Sequence, residues 1–184
     1  LKQMLKDVYL LSDLTNSLLL LTKFDKENIQ SIYEEVRIDE VIFESFDRVK
    51  KSFPNLKMEF NISENSMEDS FLSVNGVQSL LIIVFINLLK NAAIYSDSED
   101  VNIELTESKD EIIVDIISTG PTIPKSEQPR LFEAFTRGNN SQNISGSGLG
   151  LRIVKRILEY HGAHISYHSE KERNNTFSIT FYKS

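Results

Sequence analysis

Asn87 and Asn91 stand four residues apart, so on a helix both amides project from one face. Asparagine is a poor helix-interior residue, yet these two lie inside the apolar run from Leu80 to Ala93. Buried amides of this kind demand polar partners. An amide oxygen is a suitable hard ligand for Mg²⁺, which keeps waters and substrate phosphates in its shell. The same pair would also serve as a hydrogen-bonded tie between the helix and a neighbouring strand. A second group, Gly146-Ser147-Gly148-Leu149-Gly150-Leu151, opens a helix that ends near Tyr160. Glycines at alternate positions let a backbone approach an anion closely. The exposed amides of the helix start then offer donors and a favourable dipole to phosphate. Such glycines also serve turns and close helix packing. A long polar loop rather than a strand precedes them, so this is not a dinucleotide-binding glycine motif.

These groups need a core to hold them, and the composition supplies one. The chain has 184 residues, 40% of them apolar and 26% charged, which suits one globular domain with a short appendage. Its 20 basic and 27 acidic side chains give a net charge of −7, which argues against nucleic acid as a partner. With no cysteine, disulfides, thiolate metal sites and cysteine nucleophiles are excluded. No uninterrupted apolar run approaches the roughly 18 residues of a membrane span. The start, Leu1-Lys2-Gln3-Met4, lacks an initiator Met and a signal-peptide plan, and reads as the middle of a longer protein.

The patterning predicts the positioning elements. Met4, Val8, Leu11, Leu14, Leu18 and Leu21 make one stripe on a long leading helix, which needs a partner helix or the rest of this chain to cover it. A polar break at residues 25–30 leads to a short alternating stretch from Tyr33 to Ile38. Asp39 is expected to cap a helix striped by Ile42, Phe46, Val49 and Phe53 and ended by Pro54. Leu56, Met58, Phe60 and Ile62 alternate as a half-buried strand, and Phe71 to Val74 reads as a short one. Asn75 is the expected cap of a helix from about Gly76 to Tyr95. Val101–Thr106 and Glu111–Ile117 form a hairpin, as do Ile165–Ser169 and Phe177–Tyr182. Between them lie helical patterning at Glu127–Phe135 and a helix from Leu149 to Tyr160 stopped by Gly162. The expected fold class is α+β: a two-layer α/β sandwich, its mixed sheet covered on one face by about three helices, preceded by one long helix.

Taken together, the segments resemble the ATP-binding catalytic domain of sensor histidine kinases, within the superfamily that includes gyrase-type ATPases. Asn87-Leu88-Leu89-Lys90-Asn91-Ala92 is similar to the family's asparagine box, and Leu131-Phe132-Glu133-Ala134-Phe135-Thr136-Arg137 to its phenylalanine box. Gly146 through Val154 is similar to the second glycine box, and His161-Gly162-Ala163 to the usual end of the following helix. The resemblance implies that residues 1–28 are the second helix of the dimerisation and histidine-phosphotransfer hairpin, and residues 29–184 the catalytic domain. It implies ATP as substrate and Mg²⁺ as cofactor, with Asn91 on the metal and Asn87 supporting the phosphates. Tyr95 would lie against the adenine, with Ser118, Gly120 and Thr176 also at the nucleotide. Gly146, Gly148, Leu149 and Gly150 would hold the phosphates through backbone amides, and Arg137 would reach toward them. Residues 121–147 would form the lid, anchored by Phe132 and Phe135, whose spacing also suits plain core packing. The implied partners are a response regulator and the protein's own phosphotransfer helix in a homodimer. The implied location is a cytoplasmic domain of a membrane-anchored parent.

The pattern also departs from the family. Its first glycine box, Asp-x-Gly-x-Gly, is matched by Ser118-Thr119-Gly120-Pro121-Thr122. Ser118 thus replaces the aspartate that would accept a hydrogen bond from the adenine amino group. Asp115, three residues earlier on a strand, points to the other face and is no substitute. Losing a charged hydrogen bond of roughly 1.5–3 kcal/mol would weaken binding about ten- to a hundred-fold. Ile94 stands in place of a basic residue, and Asn174-Asn175-Thr176 in place of a Gly-Thr pair. His161, His164 and His168 read as structural or surface residues, so the phosphoacceptor is expected outside this sequence. The alternative is a degenerate kinase-like module that binds little or no nucleotide and acts through dimerisation and partner docking.

Overall fold

A computed structural model describes residues 33–63, 72–133, 148–170 and 173–183. The expected leading helix, the loop after Ser63, Phe71, Phe135, Arg137 and Gly146 lie outside the described residues.

Seven strands and three α-helices alternate along the described chain: β1 (Glu34–Arg37), α1 (Ile38–Lys50), β2 (Lys57–Ile62), β3 (Ser73–Gly76), α2 (Gln78–Tyr95), β4 (Asp100–Glu107), β5 (Glu111–Thr119), α3 (Gly150–Tyr160), β6 (His164–Glu170) and β7 (Asn174–Tyr182). Five strands make one mixed sheet in the order β2-β4-β5-β7-β6, with β2 parallel to β4 and the other pairs antiparallel. The alternation of apolar and polar residues sends Val101, Ile103 and Leu105, Ile112, Val114 and Ile116, and Phe177, Ile179 and Phe181 to one face, all buried. Asn102, Glu104, Asp115 and Ser178 stand on the other face. The helices cover only the apolar face, with α1 and α3 both packed on α2. The expected two-layer sandwich is the observed fold.

The central helix, α2, buries Leu81, Phe85, Leu88 and Leu89 completely. By length and composition it could cross a membrane, with a mean hydropathy of 1.5, but it lies between α1, α3 and the sheet as the core helix. An element surrounded by packing loses its one-sided pattern.

Three local expectations are corrected. The Asp39 cap is displaced: α1 starts at Ile38, and Asp39 sits in its first turn, paired with Arg37 at 2.6 Å. Its carboxylate there complements the positive end of the helix dipole. Asn75 is not a cap either, because β3 runs through it to Gly76 and pairs it with Glu35 of β1. The helical patterning at Glu127–Phe135 yields only a 3₁₀ turn, Gln128–Arg130, within its described part. Pro129 stands at the start of that turn, where its missing N–H costs no helical bond.

His161 holds the residue that precedes α2 from outside the helix. The Val77 N–H donates to His161 Nε2 at 3.0 Å, and His161 Nδ1–H donates to the Ile157 carbonyl at 2.7 Å. Gly76 lies so close that a Cβ there would fall 2.6 Å from the ring. Tyr33, beside β1, stacks on the imidazole at 5.4 Å and donates its hydroxyl to the Tyr160 carbonyl. One neutral imidazole therefore ties β1, the start of α2 and the end of α3.

Burial holds His161 below the ordinary histidine pKa, against a smaller upward pull from its bond to Ile157. The native ring is neutral where an unfolded histidine, at about 6.5, takes up a proton. The unfolded chain then binds more protons, so this contribution is intact above that value and is lost as pH falls through it. We expect urea stability to drop between about pH 7 and about pH 5.5, and to drop less steeply in His161→Phe. Equal slopes in the two proteins would show that the ring does not couple to folding.

Candidate nucleotide site

Asn87, Asn91 and Tyr95 recur every four residues along α2 and are each half-buried. Asn87 Nδ2 donates to the Ile83 carbonyl one turn back, at 2.8 Å. Its Oδ1 lies against Gly150, where a Cβ would come within 2.8 Å of it. The amide thus spends its donor on its own helix and its oxygen faces the start of α3, rather than tying α2 to a strand. Asn91, one turn further, makes no side-chain hydrogen bond among the described residues.

The start of α3 is built for close approach. Gly148 has φ 70°, the left-handed region that favours glycine, and the buried Leu149 occupies the N-cap position. Leu149 has no side chain that could cap this end, and no acidic residue stands in the first turn. Its leading amides and positive dipole end are therefore disposed to an anion. Gly150 contributes by having no side chain, which lets α3 start directly beside Asn87.

Gly120 closes the far end of the same face. A Cβ there would lie 2.3 Å from the Tyr95 carbonyl oxygen. Its N–H donates to the Arg173 carbonyl at 2.7 Å, and its carbonyl accepts from Asn175 Nδ2 at 3.1 Å. The Tyr167 hydroxyl donates to Asn175 Oδ1 at 2.6 Å and accepts from the Ile123 N–H at 3.0 Å. Asp97 N–H reaches the Thr119 carbonyl at 2.7 Å, and the Asp97 carboxylate pairs with Arg173. The end of α2, the end of β5 and the start of β7 are stitched into one rim.

The sheet register sorts the remaining residues. Ser118 pairs with Val101 on β4 and Asn175 on β7, so all three share the helix-covered face. Thr176 pairs with Ile117 and His168 and is buried on the opposite face. The structure therefore does not bring Thr176 to Ser118; Asn175 takes that place. Counting in twos back from the buried Phe177 gives the same answer from sequence. Tyr167 follows from the same alternation, two residues beyond the buried Ile165. Phe132 packs partly buried against the core, as its spacing allows. A separate cleft at the other end of α2 is lined by Glu35, Arg37, Glu40 and Gln78, and its two carboxylates suit an anion poorly.

Residues 76–184 match the family model described as "Histidine kinase-, DNA gyrase B-, and HSP90-like ATPase". The chain belongs to this family. Within this ATPase family its relatives are sensor kinases. The signal transduction histidine-protein kinase ArlS of Staphylococcus haemolyticus is 33% identical over 182 residues, covering 96% of this chain and 39% of the relative. The sensor protein KdpD of Clostridium acetobutylicum is 34% identical over 163 residues, covering 87% of this chain and 18% of the relative. This chain thus spans well under half the length of these curated relatives. Among solved structures, the mycobacterial sensor histidine kinase MprB superposes with a TM-score of 0.71 at 28% identity, over 81% of this chain and 97% of that one. The Acinetobacter baumannii histidine kinase AdeS shares the fold, with a TM-score of 0.72 at 24% identity. Residues 76–184 are thus an ATPase-family domain of the kind found in sensor histidine kinases.

Proposed function

We propose that this chain binds Mg-ATP and serves as the catalytic part of a protein-histidine kinase, presenting the γ-phosphate to a histidine on another segment or chain. One observation carries the reading. Asn87 meets the glycine-opened start of α3, and Asn91 follows one turn further along α2 toward the rim where Ser118 and Gly120 stand. Phosphates fit the α3 end, because helix-start amides and side-chain amides there supply neutral donors and oxygen ligands. Asn91 Oδ1, uncommitted among the described residues, fits a metal ligand of the amide type. A bound Mg²⁺ would neutralise charge on the phosphates, which is most of what phosphoryl transfer asks of a site. Gly148, Leu149 and Gly150 would position the phosphates, and Tyr95 would flank the base. Thr176 is left out of this assignment and Asn175 is included.

The phosphoacceptor is none of the described histidines. His161 has both ring nitrogens engaged, and His164 and His168 stand on the sheet face away from the helices. A phosphotransfer helix of the same protein, within a homodimer, would supply it, and a response regulator would take the phosphoryl group onward. Residues 1–28 would be the other helix of that hairpin, and the parent would be membrane-anchored with this part in the cytoplasm. Ser118 and the engaged Asn175 favour a second reading, a module that docks partners without nucleotide.

Calorimetric titration with a non-hydrolysable ATP analogue, with and without Mg²⁺, separates the two. Metal-dependent binding at about tens to hundreds of micromolar is the expected result. A flat titration to several millimolar would overturn the kinase reading and leave the docking module.

A further inference from the structure

The carboxylate that the described residues place on the end of the rim that would receive the base, that of Asp97, is already paired with Arg173. Along α2, a rise of about 1.5 Å per residue separates the contact of Asn87 with Gly150 from that of Tyr95 with Gly120 by about 12 Å. A nucleotide whose phosphates meet α3 therefore has its base near Ser118 and Gly120. Asp115 is on the opposite face of β5, and Asp97 is exposed and paired with Arg173 at 2.6 Å. Asn175 is buried, with one donor held by the Gly120 carbonyl and one acceptor by the Tyr167 hydroxyl. The Ser118 hydroxyl is different: it is half-buried, on the helix side of the sheet, and makes no hydrogen bond among the described residues.

A hydroxyl both donates and accepts, whereas an ionised carboxylate only accepts. Acceptor-only chemistry welcomes an exocyclic amino group and repels a carbonyl oxygen at the same position. We infer that Ser118 makes this site indifferent to that difference, so that it takes amino- and oxo-purine triphosphates alike. Ser118 accepts from the amino group of adenine or donates to the oxygen of guanine or hypoxanthine. This inference rests on the nucleotide reading above and concerns its base specificity.

The test is titration of the whole chain with non-hydrolysable analogues of ATP, GTP and ITP in Mg²⁺, repeated for Ser118→Asp. The native chain should bind all three within about fivefold of one another, as a single neutral hydrogen bond allows. Ser118→Asp should then favour the ATP analogue by about ten- to a hundred-fold. Native preference for ATP beyond about tenfold, or an unchanged ratio in Ser118→Asp, would overturn the inference while leaving nucleotide binding intact. If Ser118→Asp does not fold, Ser118→Ala decides instead: equal weakening for all three supports the inference, and selective weakening of one overturns it. Flat titrations for every nucleotide would sink the nucleotide reading itself, a result distinct from selectivity.

Discussion

Replacing Gly120 by alanine should cost about 3 kcal/mol of stability, the upper part of the range for an overpacked interior. The added Cβ would fall 2.3 Å from the carbonyl oxygen of Tyr95, an atom of the backbone with no rotamer by which to retreat. Neither side can shift freely. Tyr95 is the last residue of α2, anchored by a helix whose core residues are completely buried. Gly120 is held from two other directions, through its N–H by Arg173 and through its carbonyl by Asn175. Gly162→Ala is the control. Gly162 has φ 64° but open space around it, so alanine there pays only the left-handed penalty of about 1–2 kcal/mol. Urea unfolding of the two variants should show the larger fall for Gly120→Ala. Equal falls would mean that the rim between α2 and β5 yields easily.

How much of this was readable from the sequence follows from what each residue depends on. The alternation of β4, β5 and β7 and the stripe of α3 depend on one buried face, so the period alone marks their strands and helix. The asparagine pair and the alternating glycines were readable because amides inside an apolar run, and glycines opening a helix, have few purposes. Caps were not readable. Asn75 has the right chemistry for a helix start, but β3 runs through it, and the amide of Val77 just before α2 is held by an imidazole 84 residues away in sequence. No local signal carries that contact. Thr176 shows another limit. A motif match places it at the nucleotide, but one residue of register along a strand exchanges the two faces. The structure puts Asn175 beside Ser118, so the departures at the two positions form one connected change. Both alter the same edge of the rim, and the Tyr167 hydroxyl braces the new arrangement.

Asn91→Ala should abolish the metal-dependent part of nucleotide binding while leaving the fold intact. The two effects carry opposite signs, which makes the test clean. Alanine is the better helix former, and Asn91 gives up no side-chain hydrogen bond among the described residues. Unfolding in urea should therefore show stability unchanged or raised by about 0.5 kcal/mol. Binding should weaken by about ten- to a hundred-fold in Mg²⁺, because an oxygen interacting with a charged ligand is removed. Affinity measured without the metal should barely move, so the ratio between the two conditions should collapse toward unity. Asn87→Ala should behave differently. That amide is bonded to Ile83 and its oxygen lies against Gly150, so its loss loosens the start of α3 and weakens binding with or without metal. If Asn91→Ala instead kept the full metal dependence, the metal would have to be held elsewhere, and Asn91 would be only a spacer on a crowded helix. A variant that gained stability and lost the metal increment would identify Asn91 as a residue kept for its ligand, at the expense of its helix.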